Sequence, residues 1–163
     1  MRLIIRIILG CSLLMSVVSM AGTVTAKIAN GVLTTDWPEV VALVFSAAAG
    51  SGSENVPFCT GTLIGCETVL TAAHCVCQDN GGSKGCGDLL PTENINVFMQ
   101  NGPIVAVDSV LSHPDFQFGL RADIALLKLA EPVTGITPGR IHTGSKPANG
   151  IRGTLVGFGV EGE

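Results

Sequence analysis

Between residues 40 and 130 this chain is interrupted too often to build helices. Short apolar stretches at 40–46, 58–64, 68–72, 95–100, 104–111 and 123–129 alternate with segments of Gly, Pro, Asn, Asp and Ser. Each stretch has the length of a strand and falls short of the ten or so residues a helix needs. Asn101-Gly102, between the fourth and fifth stretches, is a hairpin signal, because both residues tolerate the positive φ of a tight turn. Glycine is frequent (21 residues), charged residues make up only 13%, and runs of strong helix formers are few. The expected fold is all-β. Six short strands suit a small barrel or a sandwich, and spacing alone does not choose between them.

The two ends of the chain differ from this middle. Met1-Arg2 and Arg6 form a basic start, 7–20 carries no charge, and small residues follow. Residues 1–26 therefore read as a secretory signal peptide, with small-x-small cleavage sites after Ala21 or Ala26. A membrane anchor is the competing reading, but the apolar run is shorter than the 20 or so residues that span a bilayer. Export predicts a secreted, extracellular protein with no membrane association once the leader is removed. At 131–150, Pro132, Pro138, Gly139, Gly144, Pro147 and Gly150 break any regular element, as in a linker between two lobes. A seventh strand is expected at 154–158. A net charge of −4 offers no basic surface for nucleic acid.

Cys11 belongs to the leader. Cys59, Cys66, Cys75, Cys77 and Cys86 remain, an odd number in one cluster. In an oxidising compartment they read as disulfides. Cys75-x-Cys77 with His74 lacks the second spaced pair of a tetrahedral zinc site, so no metal and no cofactor is expected. Cys77 and Cys86 bracket a Gly-rich loop short enough to close, and a bridge there would stabilise by about 2 to 3 kcal/mol. Pairing of Cys66 with Cys77 or Cys86 stays open, as does a free Cys66 or one that pairs with a cysteine outside this sequence.

The chemistry points to two segments. In Leu70-Thr71-Ala72-Ala73-His74-Cys75 a histidine follows a strand, behind two small alanines that let its ring lie at a surface. In Asp123-Ile124-Ala125-Leu126-Leu127 an aspartate heads an apolar strand. An aspartate so held can accept from an imidazole N–H and fix its tautomer. Together and in this order, Thr-Ala-Ala-His-Cys and Asp-Ile-Ala-Leu-Leu resemble the trypsin/chymotrypsin family of serine proteases. Ile28-Ala29-Asn30-Gly31 is similar to that family's mature N-terminus, Ser112-His113-Pro114-Asp115 to the segment before its aspartate, and Leu155-Val156-Gly157-Phe158-Gly159 to the strand that opens its second barrel.

The resemblance implies a chymotrypsin-like double β-barrel. This chain would hold the first six-stranded barrel (28–130), the linker (131–150) and the first strand of the second barrel (151–163). It implies proteolysis of protein or peptide substrates, with His74 as general base and then acid, and Asp123 orienting it. It implies a Cys59–Cys75 disulfide and a zymogen activated by cleavage between Lys27 and Ile28, with 22–27 as a short pro-peptide. His113 and His142 match no catalytic position. No Gly-Asp-Ser-Gly-Gly stretch is present, and none of Ser46, Ser51, Ser53, Ser83, Ser109, Ser112 and Ser145 has the flanks of the nucleophile. The resemblance therefore makes this chain the base-bearing half of an endopeptidase, inactive alone, whose missing partner is the C-terminal barrel. The competing function is a non-catalytic homologue that binds or decoys. Intact His74 and Asp123 favour the first, since a decoy needs neither.

Overall fold

The computed structural model describes residues 31–49, 55–78 and 85–158. The leader, Lys27 and Ile28 lie outside them. Six strands form: β1 (Val40–Phe45), β2 (Pro57–Gly65), β3 (Thr68–Thr71), β4 (Ile95–Met99), β5 (Ile104–Ser112) and β6 (Ala125–Leu129). They close into an antiparallel barrel in the order β1-β2-β3-β6-β5-β4. Closure removes the exposed edges that an open sheet of this size would present. It also decides between barrel and sandwich. The deciding contact is β1 against β4, with Val41 opposite Met99 and Phe45 opposite Ile95.

Alternation along the strands fills the interior. Ile95, Val97 and Met99 of β4 and Ala125, Leu127 and Leu129 of β6 point inward and are buried, while their neighbours do not. Leu43, Leu63, Val69, Val105 and Val107 join them in the core. Each such side chain contributes roughly 1.5 to 3 kcal/mol by leaving water. Gly61 keeps β2 close to its neighbours, because a Cβ there would lie 2.6 Å from Val69 Cγ1. Register shifts at Leu43/Val44, Leu63/Gly65 and Val107/Ser109 bend the strands around the barrel. The fourth and fifth strands form the expected hairpin across Asn101-Gly102, with the Gly102 N–H on the Met99 carbonyl at 3.1 Å.

β1 is buried on both faces. On the outer face Ala42 lies between Thr60 and Phe98, its direct partners on the two neighbouring strands. Phe158 reaches the same place. Its N–H donates to Thr60 Oγ1 at 2.8 Å, and its ring stands edge-on to Phe98 with centroids 6.1 Å apart. Residues 130–150 carry no strand or helix and run along β2, where the Gly139 N–H donates to the Leu63 carbonyl at 2.7 Å. The strand expected at 154–158 is absent from the described residues. A strand exists only beside a hydrogen-bonding neighbour, and all six barrel strands have both their neighbours already.

Candidate active site

The decisive register lies between β3 and β6. Thr71, the last residue of β3, pairs directly with Ala125, the first of β6. The exit of one strand and the entry of the other therefore meet at the same rim of the barrel. Past Thr71 the chain stays extended at Ala72 and then makes a single 3-10 turn, Ala73–Cys75, closed by the Val76 N–H on the Ala73 carbonyl at 3.0 Å. Ala73 and Cys75 point into the core, which leaves His74 outward. The Thr71 hydroxyl ties this corner to β2 by donating to the Thr60 carbonyl at 2.8 Å. A disulfide from Cys75 to Cys59 of β2 fixes it covalently, with Cα atoms 6.0 Å apart.

Asp123 sits two residues ahead of β6, not within the strand as expected. Ala122 takes a left-handed conformation (φ 52°), which costs a non-glycine residue about 1 to 2 kcal/mol. Beyond it the Ile124 N–H folds back to the Ala122 carbonyl at 2.8 Å, and the carboxylate swings over the rim. Both its oxygens bond His74. Oδ1 accepts from the His74 backbone N–H at 2.9 Å, and Oδ2 lies 2.7 Å from His74 Nδ1.

This clasp sets the chemistry of the ring. Burial pushes the Asp123 carboxyl up, but hydrogen bonds from the His74 ring and backbone, the imidazole's charge and the Ala73 N–H outweigh it and hold the acid below its ordinary range. An ionised carboxylate only accepts, so Nδ1 carries the proton and Nε2 is left with its lone pair. Nε2 lies 3.6 Å from Cys75 Sγ, a disulfide sulfur with no proton to offer. The ring and the carboxylate are 44% and 38% exposed, so an approaching reactant can reach the base. The arrangement is an oriented imidazole open to solvent, with the geometry that general-base chemistry requires.

Other expected residues fall elsewhere. Cys77 and Cys86 form the second disulfide, and Cys66 is exposed and free. The alternative pairings of Cys66 are excluded by its place at the β2–β3 turn. His113 Nδ1 accepts from the Asp115 N–H at 3.1 Å, and His142 Nε2 donates to the Ser145 carbonyl at 2.9 Å. Both are local contacts. Ser46 donates to the Glu93 carbonyl, and no serine among the described residues bonds His74. Cys59, His74 and Cys75 bring three donor atoms within 4.8 Å of one another, but the two sulfurs are bonded together and neither is a thiolate that could hold a metal. The sequence reading missed Phe118, whose ring stands edge-on to His74 at 6.0 Å. Following Phe116 by two residues in a loop, it carries no mark in the sequence that would single it out.

Comparison with known proteins agrees with this geometry. The Trypsin family model matches residues 33–163. The chain belongs to the trypsin family. Among its relatives is a venom serine protease of Bombus ignitus, 36% identical over 101 residues, covering 60% of this chain and 27% of the relative. Tryptase of Mus musculus is 40% identical over 79 residues, or 47% of this chain and 27% of that protein. Chymotrypsin-C of Rattus norvegicus is 40% identical over 77 residues, covering 46% and 27%. The matched region spans about a quarter of each relative. As a trypsin-family chain, this barrel has the chymotrypsin-like form, and its two disulfides suit an oxidising compartment.

Proposed function

We propose that the protein is a secreted serine endopeptidase in which this chain supplies the base and its orienting carboxylate. The observation that carries the reading is the two-point hold of Asp123 on His74, at the backbone N–H and at Nδ1. A backbone donor anchors the carboxylate, so the ring N–H is read from a fixed point. His74 Nε2 takes the proton of an attacking hydroxyl and returns it to the leaving amine, while Asp123 stays ionised and stabilises the imidazolium. The hydroxyl belongs to a serine outside these 163 residues, together with the oxyanion hole and the pocket that selects the scissile residue. The 163-residue chain alone is then inactive, since a base without a nucleophile has nothing to activate.

The same proposal includes a leader at 1–26, a pro-peptide at 22–27 and activation between Lys27 and Ile28. It keeps the segment division expected above, with 131–150 leading to a second barrel. Protein or peptide chains are the substrates.

The test starts with the reading frame beyond the codon for Glu163. A frame that continues into Gly-Asp-Ser-Gly-Gly is expected, and its secreted product should hydrolyse peptide substrates and take up a fluorophosphonate label. A frame that stops, or a product that neither cleaves nor labels, overturns the reading and favours a binding module.

A further inference from the structure

A continuous chain of contacts leads from the Cys77–Cys86 bridge to the His74 ring. Cys77 follows the 3-10 turn of His74 and is pinned from the side: it bridges to Leu89, and the Gln78 N–H donates to the Asp88 carbonyl at 2.8 Å. The other end of the bridge, Cys86, follows Gly85. The Gly85 N–H donates to the Phe116 carbonyl at 3.0 Å. Gly85 has φ 69°, and a Cβ there would come within 2.9 Å of the Pro114 carbonyl oxygen, so only glycine allows this approach. Phe116 is fully buried. The next residue, Gln117, closes a tight hairpin with Arg121 through hydrogen bonds of 3.0 and 3.1 Å in the two directions. Phe118 stands at the tip of that hairpin, edge-on to His74 at an interplanar angle of 86°.

Phe118 is 55% exposed, so burial does not dictate where it stands. Its position must come from the backbone beneath it. Asp123 holds one edge of the imidazole, and the Phe118 ring stands on another side of it.

We propose that the Cys77–Cys86 bridge, acting through Gly85 on the 116–121 hairpin, makes Phe118 a positioning residue for the His74 ring. The consequence for catalysis rests on the base role given to His74 above; the positioning itself does not.

The test uses the full chain with isotope-labelled histidine and reads the carbon-bound ring protons of His74 by NMR. Phe118→Leu removes the aromatic ring current and is expected to displace both His74 signals, while Phe118→Tyr keeps them near the wild-type position. The paired substitution C77A/C86A should displace them in the same direction, by more than half of the F118L displacement. Gly85→Ala keeps the bridge but forces the Pro114 contact apart, and should do the same. It decides the matter if C77A/C86A does not fold. Unmoved signals in F118L overturn the contact. Unmoved signals in the folded bridge variant and in G85A, with only a lower melting temperature, overturn the positioning role. No peptide hydrolysis is read, so the endopeptidase reading can fail while this result stands, and the reverse.

Discussion

Asp123→Asn isolates what the carboxylate does. The backbone N–H of His74 cannot become an acceptor, so the amide oxygen of the new side chain must take the Oδ1 place, 2.9 Å from that donor. The amide nitrogen then occupies the Oδ2 place, 2.7 Å from Nδ1, and presents N–H groups. Nδ1 must turn its lone pair towards them, and the ring proton moves to Nε2. In stability, a charge-assisted hydrogen bond is exchanged for a neutral one, a difference of about 1 to 2 kcal/mol, and half-exposure places it near the lower figure. On the endopeptidase proposal, the same change in the complete enzyme would remove the base and cost about 10⁴-fold in kcat, near 5.5 kcal/mol. Long-range nitrogen–proton NMR of the imidazole at alkaline pH reports the tautomer, and thermal unfolding reports the stability. The expected result is a proton moved from Nδ1 to Nε2 with about 1 kcal/mol lost. Retention of the proton at Nδ1, or a loss of about 4 kcal/mol or more, would refute the reasoning.

Three further outcomes follow from the same structure. The pKa of Asp123 in the folded state lies below its ordinary value of 3.8, so its contribution to stability is complete above that pH and is lost as pH falls through the lowered value; acid unfolding of D123N should lack this component of the wild-type curve. Ala122→Gly removes the left-handed penalty at φ 52° and gives back part of it as unfolded-chain entropy, for a net gain of about 0.5 to 1 kcal/mol in denaturant titration. Gly61→Ala drives a Cβ to 2.6 Å from Val69 Cγ1 inside the barrel and should lower stability by about 1 to 3 kcal/mol in the same assay.

The strands were legible because each carries its own alternation: β4 and β6 bury every second residue, and all six were placed to within two residues. Barrel closure was not legible, because it depends on β1 meeting β4 across about a third of the chain. The His74 and Asp123 segments stood out by their order and neighbours. Their geometry did not, since no glycine marks the left-handed turn at Ala122, and Asp123 itself reads as the start of a strand. Phe118 escaped because its contact with His74 is made by a loop from a distant part of the sequence. The Cys77–Cys86 pairing was one of several that spacing allowed, and only the position of Cys66 on the opposite turn removed the others.

The direct pairing of Thr71 with Ala125 has a consequence for how such a chain can vary. The spacing of base and carboxylate is set by one rung of the barrel and not by the length of chain between them. Insertions in the turn between β4 and β5 leave that rung in place, so that turn is free to diversify around a constant pair. A slip of one residue between β3 and β6 has the opposite effect. It would set Val69 and Leu127, now partners on one inward face, on opposite faces, so one of the two buried side chains would turn to the outer surface, and the barrel would be lost before the pair could settle at a new distance.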